Sequence, residues 1–423
     1  MNRSAAPAAS LALCLLLGGC GALPGLGAGE VTLRLVAADY GDNETTSTRH
    51  YWDDLLRRFE QTDPGFKVEV EVVSWNDIDK RVADLVAGGR VPDMVQTGGY
   101  ADQVAADRLY PAGDVLSIDT QANIIDAFSK AGQVLGSQYG IPFVASTRVF
   151  VYNKAIFQKA GITAPPATWD ELRRDAELIK AKVPGVVPYA LPLGPEEAQG
   201  ESMIWAMSGG GSLADNAGNY TIDSPQNRAT FGWLRTNLVQ RQLTYAEPGT
   251  VDRKTAFADF AAGKTAMLNG HPGLVQRAIE AKVDYGTAAI PRKDASVRPG
   301  TLGVADWMMA FKANGHKTEI KKFLNFVYSK ENTLTFDERY NLLPVTLDTK
   351  AEMTGAGNHK DLTEFLNALP NANFYPLGDP SWDKVSGMVK QRIGAAVKKD
   401  GDQVLADLQS AAAAEAGKAR GRG

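Results

Sequence analysis

Residues 149–172, VFVYNKAIFQKAGITAPPATWDEL, decide the fold. Val149, Phe150, Val151 and Tyr152 are β-branched and aromatic, the composition of a strand. Asn153-Lys154 breaks it, and Ile156 and Phe157 open a short helix that stops at Gly161, where a left-handed C-terminal glycine belongs. Pro165-Pro166 cannot lie inside a helix. Thr168-x-x-Glu171 has the spacing of a capping box, a hydroxyl and a carboxylate closing the free N–H groups of the next helix. Leu172, Ala176 and Ile179 then share one face of it.

Outward from this stretch, strand and helix alternate. Residues 31–36 read as a strand, and Trp52, Leu55, Leu56 and Phe59 place an apolar stripe on a helix. Residues 67–73 alternate valine with lysine and glutamate, a strand with one wetter face. Asn76 is placed to cap a helix bearing Ile78, Val82, Leu85 and Val86, and residues 92–95 open a third strand. This β-α-β-α-β order predicts an α/β fold, an open and mostly parallel sheet with helices on both faces. Further on, 219–223 reads as a short strand, Ser224-Pro225 as the cap and first position of a helix, and 265–268 and 302–311 as strands. Residues 382–408 are mainly helical in pattern.

The N-terminus has Arg3, an apolar run over 8–17, and Leu17-Gly18-Gly19-Cys20. A basic start, a short apolar core and small residues before a cut make a secretory signal over 1–19. The run is too short to stay in a bilayer as a helix. Cys20 reads as a lipidation site and 20–29 as a tether. The other cysteine, Cys14, lies within the signal, so a body without disulfides must be held by its core. A net charge of −4 over 423 residues gives no footprint for nucleic acid or an anionic surface. Residues 417–423, with basic residues among glycines, read as a flexible tail.

Motifs for chemistry fail on inspection. Ala261-Ala262-Gly263-Lys264-Thr265 resembles the end of a phosphate loop, but Ala258 stands where its first glycine is needed. His50, His271, His316 and His359 are scattered with no zinc spacing, so no metal and no cofactor is expected. A glycosidase needs only two carboxylates and no local motif, so an exported glycoside hydrolase stays open as an alternative.

The pattern YNK…AGI…PP.TWDEL resembles the signature region of family 1 extracellular solute-binding proteins, the sugar receptors of ABC importers. The resemblance implies a two-lobed periplasmic-binding-protein-like fold of type II with three crossings between lobes. Lobe one would take 30–145 and 306–342, lobe two 146–305 and 343–416. It further implies a small carbohydrate ligand, delivery to ABC permease subunits, attachment to the outer face of the cytoplasmic membrane by the lipid alone, and a monomer.

A sugar offers hydroxyls and flat C–H faces, so its site wants charged or amide side chains beside aromatic plates. Asp39 and Tyr40 after the first strand and Tyr100 after the third lie at carboxyl ends, where ligands of open α/β sheets sit. Asp39 can equally cap its loop, and Tyr100 can cover a helix. Arg148 at the first crossing can clamp a ligand or form an interlobe ion pair. By resemblance, Glu201 and Trp205 fall in a ligand-contacting stretch, though Trp205 also fits a core. His271 replaces the tryptophan that family members carry after Asn-Gly, and Trp382 falls at an aromatic platform. Asp306 and Trp307 adjoin in a strand, so one faces the cleft unless a bulge intervenes. Trp52 and Trp169 fit packing. The acidic run 196–201 or Arg148 would instead serve a charged solute, a glycerophosphodiester or polyamine.

Overall fold

In the computed structural model, the strands of two sheets are, in chain order, β1 (Thr32–Ala38), β2 (Lys67–Val73), β3 (Met94–Thr97), β4 (Ile141–Ser146), β5 (Val149–Asn153), β6 (Val187–Tyr189), β7 (Thr265–Gly270), β8 (Tyr285–Ala288) and β9 (Val304–Ala310). The structure describes residues 31–420 apart from 42, 76, 216–217, 356, 358 and 399. The signal, Cys20, the tether and the capping role of Asn76 lie outside the described residues. Lobe one carries the order β2-β1-β3-β9-β4 and lobe two β8-β5-β7-β6.

In each sheet one interior strand is reversed. β9 is antiparallel to both its neighbours, and so is β5; the remaining pairs are parallel. These are the strands that carry the chain across. A strand entering its sheet from the crossing must run against those that end there, so each ladder is mixed in pairing.

The opening stretch folds as its residues dictate. Asn153 Oδ1 accepts from Ile156 N–H at the start of α3 (Lys154–Ala160), and Gly161 closes it at φ +77°. Thr168 Oγ1 accepts from Glu171 N–H while Glu171 Oε2 accepts from Thr168 N–H, completing the capping box of α4 (Trp169–Lys182), worth about 1 kcal/mol. In lobe one, α1 (Arg49–Thr62) buries Trp52, Leu55 and Phe59, and Trp52 stacks on Phe143 of β4 at 5.7 Å. β2 shows the expected alternation, with Val68 and Val70 buried between exposed Lys67 and Glu69.

The first crossing is Thr147-Arg148, between β4 and β5. The return was expected as one strand over 302–311 but is broken at Gly303. Thr301–Leu302 pairs with Ala372–Asn373, and β9 starts at Val304. A Cβ at Gly303 would stand 2.7 Å from the Phe374 ring and 2.8 Å from the Ala372 methyl, so a larger residue at the break would push on both. Leu343 bridges Ala145 near the end of β4.

Two expectations fail locally. Residues 219–223 form no strand beyond one bridge between Ala214 and Tyr220. Asn227 Nδ2 donates to the carbonyls of Ser212, Thr221 and Ile222, which holds the segment by a side chain instead of a ladder. The last helix, Gly401–Arg420, takes in the first residues of the stretch read as a tail.

Candidate functional site

The carboxyl ends of β1 and β3 support a polar network in lobe one. The Tyr40 hydroxyl donates to Asp306 Oδ2 at 2.6 Å and accepts from Gln96 Nε2 at 2.8 Å. Burial pushes the Asp306 carboxyl up to about 6, against the pull of the Tyr40 hydrogen bond. Asp39 acts as a staple. Its carboxylate accepts from the N–H groups of Gly41 and Thr48 and from the Ser47 hydroxyl. Burial raises its pKa, but those donors outweigh it and hold the group below its ordinary value. The loop-capping alternative is thus the role seen for Asp39.

The ladder shifts register between Asp306 and Trp307, the bulge that lets neighbours turn to different surroundings. Asp306 turns to Tyr40, and Trp307 is fully buried, edge-on to Tyr100 at 5.2 Å. Tyr100 donates to the Ala131 carbonyl, and burial raises its phenol. Gly140 makes room for both rings, since a Cβ there would lie 2.7 Å from Tyr100 and 2.9 Å from Trp307.

Glu201 and Trp205 sit inside lobe two rather than at its surface. They belong to α5 (Ala198–Ser208). Glu201 Oε1 accepts from Trp205 Nε1 at 2.8 Å, Asn269 Nδ2 at 3.1 Å and the Tyr189 hydroxyl at 3.2 Å. Burial pushes this carboxyl up to about 7, although the three donors favour its charged form. Trp205 packs against Trp169 and Trp233, at 5.4 and 5.9 Å.

Arg148 belongs to a chain of ion pairs, which the neutral His271 adjoins. Arg148 Nη2 meets Glu197 Oε1 at 2.5 Å, and Glu197 Oε2 meets Arg253 Nε at 2.5 Å. Arg253 Nη2 reaches Glu196 Oε1 at 2.6 Å, and its Nη1 lies 2.8 Å from His271 Nε2. Burial, then the charges of Arg148, Arg253 and Arg277, hold His271 neutral, well below its ordinary value. Two arginines and two glutamates balance, leaving no idle counter-charge in this group.

A cavity of about 400 Å3 lies between the lobes. Lobe one contributes Asp79 of α2 (Ile78–Ala87), Thr97, Gly98 and the 99–103 segment. Lobe two contributes Gln199, Tyr375 and the start of α6 (Trp382–Arg392). Of the contact residues expected from the sequence, Tyr100 and Trp382 line it. Trp382 is 5 % exposed and stacks on Tyr375 at 5.0 Å, so it is wall and core together.

Trp75, missed in the sequence, stands beside Gly98. It is 39 % exposed, edge-on to Tyr40 at 5.5 Å, and its ring would lie 3.8 Å from a Cβ at Gly98. Its signal was available, because it follows the carboxyl end of β2 as Asp39 follows that of β1. Tyr375 and Gln199 carried no local signal.

A sequence model of the bacterial extracellular solute-binding proteins matches residues 43–334. A binding protein of Brucella abortus (strain 2308) is 30 % identical over 393 residues, 91 % of this chain and 93 % of that protein. The sn-glycerol-3-phosphate-binding periplasmic protein of Escherichia coli (strain K12) is 26 % identical over 74 % of this chain and 78 % of its own. Among solved structures, the cyclic alpha-maltosyl-1,6-maltose binding protein of Arthrobacter globiformis superposes with a TM-score of 0.80 at 18 % identity, covering 92 % of this chain and 99 % of that one. The sugar-binding protein of Xanthomonas citri superposes with a TM-score of 0.79 at 19 % identity, over 92 % and 98 %. Among the described residues no helix is long and apolar enough to cross a membrane.

Proposed function

The chain belongs to the bacterial extracellular solute-binding proteins, and from that premise we propose that it captures a saccharide or polyol between its lobes and passes it to the permease of an ABC importer. Family and fold are those of binding proteins rather than enzymes. The observation that carries the reading is this interlobe cavity, with the Tyr375–Trp382 stack in one wall and Trp75 beside its Gly98. Aromatic faces take the C–H faces of a sugar, and Gln199 and the cavity carboxylates suit its hydroxyls. A ligand that touches both lobes favours the closed state by its differential affinity, and hinge closure is the recurrent way such two-lobed proteins respond. The protein acts as a monomer, held to the outer face of the membrane by a lipid on Cys20, and leaves its cargo unchanged.

The relatives named for glycerol phosphate favour a second reading, an anionic cargo. Its phosphate would need a cation. Arg148 and Arg253 are both engaged by Glu197 and Glu196, and the cavity presents aspartates. The charge at the site therefore favours the saccharide.

Calorimetric titration of the full chain with mono- and oligosaccharides, polyols and sn-glycerol 3-phosphate separates the two. Heat from a saccharide or polyol is expected; heat from glycerol phosphate alone would overturn the reading. Trp75→Ala should weaken the saccharide by about ten- to hundredfold. Its melting temperature should hardly move, because a partly exposed ring contributes little to the core. Unchanged affinity would remove Trp75 from the site.

A further inference from the structure

Resting on the saccharide reading, we infer that the cleft selects a sugar bearing a protonated amine, an amino sugar with a free ammonium group. Asp79 and Asp102 from lobe one and Asp379 and Asp383 from lobe two line the cavity, and no Lys, Arg or His among the described residues does. The lysines next in sequence turn away, Lys80 to Asp84 and Lys384 to Glu415.

Helix ends do not cancel this charge. Asp79, Asp102 and Asp383 each lie in the first turn of a helix, where the backbone offers roughly half a positive charge. Each full carboxylate charge exceeds that, and Asp379 adds another, its Oδ1 accepting from Ser381 N–H and Oγ–H. The excess acts across the cleft. Desolvation raises the Asp383 carboxyl, and the charges of Asp102 and Asp79 on the facing lobe raise it further. Lobes of like charge resist approach. A cation held between them reverses that term, so its preference for the closed state adds to that of the sugar ring.

A second observation points to a ligand that donates. Gln199, 8 % exposed, lines the cavity, and its Oε1 has no hydrogen-bond partner among the described residues. The Tyr375 hydroxyl beside it takes a hydrogen bond from the Gln199 side chain, which leaves the amide oxygen as the acceptor still to be met. An ammonium brings three donors and no acceptor, which suits an amide oxygen and carboxylates together.

The test is calorimetry of the full chain with glucosamine and its β-1,4 dimer, against glucose, cellobiose and the N-acetylated forms, with spermidine as a sugar-free cation. The amine sugars should bind at least about tenfold tighter than the neutral ones at low salt, with the gap narrowing as salt rises. The double substitution Asp102→Asn and Asp383→Asn should close the gap, with its melting curve confirming that the chain is folded. Neutral sugars binding as tightly as amine sugars, or a gap that survives the double substitution, overturns the ammonium inference and leaves the saccharide reading standing. Spermidine binding where no sugar does overturns the saccharide reading and keeps the recognition of ammonium. No heat from any of these compounds overturns both.

Discussion

Trp307→Ala is expected to lower the free energy of unfolding by about 3–5 kcal/mol, the range for deleting a fully buried aromatic ring. The ring is enclosed by Tyr100 at 5.2 Å and Phe374 at 6.5 Å, and a Cβ at Gly140 would come within 2.9 Å of it. Its Nε1 has no partner among the described residues, so the loss is one of packing. Urea unfolding checks the magnitude, and Trp307→Phe should recover part of it. A loss below about 1 kcal/mol together with a collapse of saccharide affinity would make Trp307 a ligand plate after all.

The second large effect is a pH dependence at Glu201. Its folded value, about 7, is raised above the ordinary 4.5. The folded state therefore keeps this proton where the unfolded chain has released it. Stability from this group is complete below about pH 4.5 and is lost as the pH rises through about 7. The loss comes to roughly 3 kcal/mol. Glu201→Gln keeps an acceptor for Trp205 Nε1 but cannot ionise, so its stability relative to the unchanged protein should improve steadily between pH 4.5 and 7. Parallel stability curves across that window would mean that Glu201 is ionised inside lobe two.

Local signals carried most of the fold. The capping box, the Gly161 stop and the valine alternation of β2 each act within a few residues, and the chain obeys them. The α/β class and the two lobes follow from them and from the resemblance. What was illegible depends on distant partners. Arg148 pairs with a residue 49 positions away, so no spacing could decide between a ligand clamp and an ion pair. Ten of the eleven residues of α5 are buried, which leaves no polar stripe to tell a cleft-facing Glu201 from an interior one. The bulge at Asp306 and Trp307 arises from pairing β9 with β4, and β4 lies far upstream in the chain. Trp75 could have been read from position alone, had the rule applied to β1 and β3 been applied to β2.

The most direct test of the account is small-angle scattering from the full chain, alone and saturated with the saccharide that gives the tightest calorimetric binding. The radius of gyration should fall on saturation, because the ligand holds the lobes together. Superimposable profiles with the cleft filled would contradict the claim that the protein works by closing around its cargo.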